Sequence, residues 1–233
     1  TAIDNVDARY KLNGWEEKCL TLEQLNAAPN TANAGTVGAE AGKILTAALQ
    51  IDNYELALRA LEIGRAAAKK LQAKAAIEEL SGWRSEIEFA QQLLTDARAA
   101  VQQLGTDPNH PQANEALGKY VCLVKGKWDV GLPLLAKSED VRFKVVATID
   151  LESGKSAPNA AAIAEQWWTL GDSLKHPLRR NCHLRGIYWG EQAIPGLNNN
   201  LQRVKLEGKL TSAKKEYARF FTAPTTAAAA NNE

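Results

Sequence analysis

The sequence predicts an all-α chain: an α-solenoid of antiparallel helical hairpins with degenerate repeats. Three observations carry this. Apolar residues recur at three- and four-residue spacing almost throughout. Alanine is abundant and β-branched runs are scarce, which favours helix because alanine loses least on entering one. The periodic stretches are short and separated by brief Gly/Pro/Asn/Asp punctuation, so consecutive helices must pack as antiparallel neighbours.

Helices are expected near 3–12, 15–27, 33–50, 53–71, 74–104, 111–124, 128–137, 139–152, 159–174, 178–194 and 199–219. Pro29-Asn30 ends the first hairpin. The stretch from Gly105 to Pro111 is a strong stop and restart, and that from Ser153 to Pro158 is another, with Pro158 suited to a first helical turn. The best strand candidate is Lys119–Lys125. It is short and an Ala/Leu helical pattern leads into it, so it reads as buried helix. The breaks suggest an N-terminal lobe over 1–105, a C-terminal lobe over 106–221, and a Thr/Ala/Pro-rich linker or tail over 222–233.

A tetratricopeptide repeat pairs two helices with small residues where they cross and large ones where they interlock. Three places resemble its second helix. The first is Asp52-Asn-Tyr54-Glu-Leu-Ala57 and the second Gly126-Lys-Trp128-Asp-Val-Gly131. The third is Gly186-Ile-Tyr188-Trp189-Gly190, preceded by Trp167-Trp168-Thr-Leu170-Gly171. Small residues recur at the expected crossings, Ala57, Gly131 and Gly186. A few extra residues around Lys175–Arg185 lengthen the third hairpin and predict a loop there. Leu117-Gly118 is one residue out of register with the second unit.

The stretch Leu117–Lys137, together with Trp167–Asp172 and Tyr188–Leu197, resembles a family of uncharacterised exported proteins from planctomycete bacteria. In that family a helical region of this kind lies between a signal peptide and variable C-terminal domains. The resemblance implies a helical fold and an exported, periplasmic or cell-surface location; it brings no catalytic residues. Where relatives often carry larger residues, this chain has Gly131, Gly186 and Gly190, which predicts looser local packing.

Composition argues against several functions. The net charge of +1 gives no general pull toward nucleic acid or anionic membrane. No apolar run approaches the ~20 residues that span a bilayer. Cys19, Cys122 and Cys182 are odd in number and far apart, so they read as small buried hydrophobes. His110, His176 and His183 lack metal-ligand spacing and read as loop or helix-end residues, which predicts no metal and no cofactor. Gly154-Lys155-Ser156 lacks the rest of a phosphate-binding loop. The paired acids, such as Glu16/Glu17 and Glu139/Asp140, read as solvated surface.

One region invites a binding reading. Residues 175–221 carry 10 Lys/Arg against 3 Asp/Glu. Trp168, Tyr188 and Trp189 flank Arg179, Arg180 and Arg185, and these six residues form the candidate binding groove. The first reading of these aromatics is interhelical core, because large aromatics dominate helix-packing burial; the alternative is that one of Trp167/Trp168 and one of Tyr188/Trp189 is exposed or lies in a groove, since adjacent aromatics cannot face the same way on a helix. The segment 199–219 interleaves its basic residues with Leu201, Val204, Leu206 and Leu210 at helical spacing, as an amphipathic capping helix does. The expected function is a non-catalytic helical-repeat scaffold or spacer in an exported multidomain protein. Its expected partner is a protein or peptide. The alternative is a carbohydrate- or peptide-binding module using the aromatic/arginine groove.

Overall fold

A computed structural model of the chain describes residues 2–28, 31–152, 159–198 and 200–218. The expected break at Pro29-Asn30, the Gly154-Lys155-Ser156 stretch and the tail 222–233 lie outside these residues. The described chain is helical, with no strand: α1 (Ala2–Ala27), α2 (Ala34–Gln50), α3 (Tyr54–Lys70), α4 (Lys74–Thr106), α5 (Pro111–Lys119), α6 (Trp128–Leu135), α7 (Val141–Glu152), α8 (Ala160–Asp172), α9 (Leu178–Ala193) and α10 (Asn200–Glu216). Two expected helices merge into α1, because nothing crowds Gly14 and a lone glycine does not end a helix. The chain divides into two compact units, one holding residues 2–91 and the other residues 92–218. The division falls between Gln91 and Gln92, within α4; residue 105, the expected lobe boundary, lies near the end of the same helix.

In the first unit, α2 and α3 form a closely packed hairpin. Its crossing is lined by small residues. A Cβ added to Gly38 would stand 3.8 Å from the Ala67 methyl, and one added to Gly64 would stand 3.8 Å from that of Ala41. Around them Val37, Ile44, Leu45, Ala57 and Leu61 are buried. The Asn53 side chain caps α3 by accepting from the Leu56 N–H at 3.1 Å. Arg59 donates twice to Glu23, at 2.7 and 2.8 Å, tying α3 to α1 and holding the Glu23 carboxyl below its usual range. The Lys70 ammonium closes the end of α1 on the carbonyls of Asn26 and Ala28.

In the second unit, α5 through α10 pack in sequence, each against the next. α5 starts on Pro111 with the His110 imidazole accepting from the Ala113 N–H. It runs into a π-helical turn, Tyr120–Val124, closed by the Lys125 N–H to the Tyr120 carbonyl at 3.1 Å. The expected buried helix is therefore helical but wider than α. Gly126 follows at φ +64°, a conformation that favours glycine, and α6 begins at Trp128. Here the glycines tighten the packing, contrary to the looser packing predicted. A Cβ on Gly131 would fall 2.3 Å from Cys122 Sγ, and one on Gly118 would fall 2.9 Å from Leu135. Gly186 and Gly190 accommodate the Trp168 indole, which would lie 3.0 and 3.2 Å from added Cβ atoms.

Candidate functional site

The six residues singled out in the sequence are distributed between core and surface. The loop between α8 and α9 is short, and Arg179, Arg180 and Arg185 all stand within α9. The extra residues of the third hairpin therefore extend a helix and do not form the predicted loop. Arg179 is exposed and pairs with Asp172 at 3.2 Å. Arg180 is buried, with Nε and Nη2 donating to Asn181 Oδ1 at 2.8 and 2.6 Å.

The first tryptophan pair follows the core reading and not the groove alternative. Trp167 and Trp168 are both buried, 0% and 2% exposed. Adjacent positions can both be buried because α8 is covered on two sides. Trp167 meets Trp128 of α6 edge-on, with ring centres 5.3 Å apart, while Trp168 lies across the α9 glycines with Lys209 of α10 over its ring at 4.1 Å. The second pair does divide as the alternative has it: Trp189 is buried and Tyr188 is 46% exposed.

These side chains converge on a residue that the sequence reading passed over. Asp150 of α7 is almost wholly buried and accepts four hydrogen bonds. Trp167 Nε1 donates at 2.6 Å and Trp189 Nε1 at 2.9 Å; Arg185 donates through Nε at 2.9 Å and Nη2 at 2.8 Å. The Arg185 guanidinium is 4.6 Å from the ring centres of both Trp128 and Tyr188 and 5.3 Å from that of Trp189. One carboxylate thus ties together α7, α8 and α9, and the cation it neutralises is walled by aromatic rings. A signal for Asp150 was present: it stands seven residues after Phe143, on the stripe that Val146 and Ala147 also occupy. An acid on the apolar face of a helix demands buried donors.

Beside this cluster the π-helical turn, Gly126 and Trp128 face α9 across an open cleft of about 340 Å³, lined also by Asn181, Leu184, Arg185 and Tyr188. A second polar cluster lies where α8, α9 and α10 meet. His183, buried inside α9 and so not a helix-end histidine, has Nδ1 2.9 Å from the Tyr217 hydroxyl. Its Nε2 lies 3.2 Å from Asp172 Oδ1 without hydrogen-bond geometry. Burial pushes its pKa down more than the Asp172 charge pushes it up.

Among the described residues no three His, Cys, Asp or Glu side chains converge as a metal site, and no helix is long and apolar enough to cross a membrane. The three cysteines are free and buried; burial raises all three thiols, Cys182 to about 12. Lysines of the basic α10 pair with acids of its neighbours, Lys209 with Glu165 and Lys214 with Glu191. Compared with protein-family models, curated proteins and solved structures, the chain matches none.

Proposed function

We propose that the chain is a non-catalytic, tetratricopeptide-like helical scaffold that holds a protein partner on its second unit. The observation that carries this is the cleft against α9. Its walls include an exposed tyrosine and a half-buried tryptophan, and the Asp150–Arg185 cluster behind it fixes both the cation and the helices. A preformed aromatic cleft on a stiff support loses little entropy on binding, and aromatic anchors dominate protein interfaces. The Asp150 carboxylate is spent on two indole N–H groups and on Nε and Nη2 of Arg185, as suits a support and not a reacting centre. The exported location stays part of the proposal through the resemblance to the planctomycete proteins.

The aromatic walls also favour a second reading, a site for a carbohydrate polymer, since Trp and Tyr faces stack on sugar rings. The test places a benzophenone side chain at position 188 and irradiates the producing cells. A discrete protein adduct is expected from position 188 and not from the exposed position 101 on α4. An adduct with carbohydrate alone selects the second reading, and equal labelling from both positions overturns the scaffold reading.

A further inference from the structure

The cleft has an uneven polar chemistry that specifies what it can hold. Asn181 is 5% exposed and Arg185 is 9% exposed, and both line the cleft. The Asn181 carbonyl oxygen is taken by two N–H donors of Arg180, which also fixes which end of that amide is the NH₂. Asn181 Nδ2 has no partner among the described residues. Arg185 spends Nε and Nη2 on Asp150, and its Nη1 likewise has none. Two buried residues that line the cleft thus each keep a side-chain N–H group without a protein acceptor, Asn181 Nδ2 and Arg185 Nη1, and the Arg185 guanidinium stands beside the rings of Trp128 and Tyr188.

We propose that this cleft binds a main-chain carbonyl of an extended partner segment through Asn181 Nδ2 and Arg185 Nη1, with an apolar partner side chain against Trp128 and Tyr188. The inference rests on the protein-binding reading and sharpens it. A pair of donors selects a group that only accepts. Sugar hydroxyls both donate and accept, and are held best where acceptors stand beside donors; Asp150, the carboxylate bound to Arg185, already has four donors. A free carboxylate is disfavoured for a different reason. Asp150, 2.8 Å from Arg185, already cancels the guanidinium charge, so an incoming anion would face an ion pair and not a cation. A neutral amide carbonyl fits both constraints.

The test follows the Trp128 indole N–H resonance of the whole chain during titration with three probes: N-acetyl-leucine N-methylamide, acetate and cellohexaose. The expected result is a saturable shift with the amide and none with acetate at equal concentration. Asn181→Asp keeps the shape and keeps an oxygen for Arg180 but removes the donor; it should weaken amide binding about five- to tenfold, the effect of one lost hydrogen bond. Tyr188→Ala should weaken it as well. Unchanged affinity in Asn181→Asp, with loss in Tyr188→Ala, overturns the carbonyl inference and leaves the protein-binding cleft standing. Saturable binding of cellohexaose alone overturns both. Stronger binding of acetate than of the amide overturns the choice of a neutral carbonyl, as does the absence of any shift, while the crosslinking experiment decides the broader reading separately.

Discussion

A carboxylate that accepts four hydrogen bonds inside a helical core, as Asp150 does, leaves four donors stranded when it is removed. Asp150→Ala would bury an unpaired guanidinium and orphan two indole N–H groups, so the loss should be about 3–5 kcal/mol, the range for breaking a buried ion pair. Denaturant unfolding of the two proteins measures it; a change under about 1 kcal/mol, within the range of an exposed pair, would mean that the cluster contributes little. His183 supports a prediction in pH. Its folded pKa lies below the ordinary 6.5, with burial the main cause, so the unfolded chain takes the proton first on acidification. Stability from this residue is complete above about pH 6.5 and falls as pH drops toward the folded value. Asp172, Arg179, Glu216 and the Trp168 carbonyl surround the ring and set that value. Unfolding free energies should therefore decline below pH 6.5, and His183→Gln should flatten the decline. Carboxylates such as Glu23 and Asp140, whose pKa values are lowered by Arg59 and Arg142, lose their contribution at more acid pH, so the two windows separate.

Helix ends were legible because they are written in local chemistry. Pro111 stands at a first turn, Asn53 is a cap and Gly126 sits at positive φ, each with its own mechanical reason. The π-helical turn at Tyr120–Val124 was not legible, because its extra residue per turn is selected by packing around Gly131 and Cys122, contacts between residues distant along the chain. The same limit left Trp167 and Trp168 open between core and groove: periodicity shows one apolar face, and α8 needs two. Asp150 was visible as an acid on an apolar stripe, but its donors come from other helices. The glycines offer a test at this scale. Gly131→Ala places a methyl 2.3 Å from Cys122 Sγ and should cost about 1–3 kcal/mol through overpacking. Gly208→Ala, in α10 with nothing within 4 Å, should instead stabilise by about 0.5–1 kcal/mol, because alanine is the better helix former. Melting temperatures that move in the same direction for both would contradict this account of the crossings.

At the scale of the molecule, the described chain gives two compact units divided within α4, and the Asp150 cluster lies wholly in the second. Trp128, Trp167, Trp168 and Trp189 belong to that unit as well. A fragment spanning 92–218 should therefore unfold cooperatively and keep the near-ultraviolet signal of its packed indoles. A fragment that is helical by far-ultraviolet dichroism but featureless in the near-ultraviolet would show that residues before 92 are needed for the core to set. The whole chain should give a spectrum dominated by helix, and a strand content near the globular average of roughly a fifth would contradict the fold.

The buried cysteines give the chain a set of internal clocks. A thiol reacts as thiolate, and burial holds all three protonated and screened from reagent. Cys19 rides on α1, Cys122 on the π-helical turn and Cys182 on α9, so each can be alkylated only when its own stretch opens. With reagent in excess and opening fast, the three labelling rates rank the opening free energies of three places in one native sample. Cys182 should be labelled last, because its helix carries the arginine that Asp150 holds.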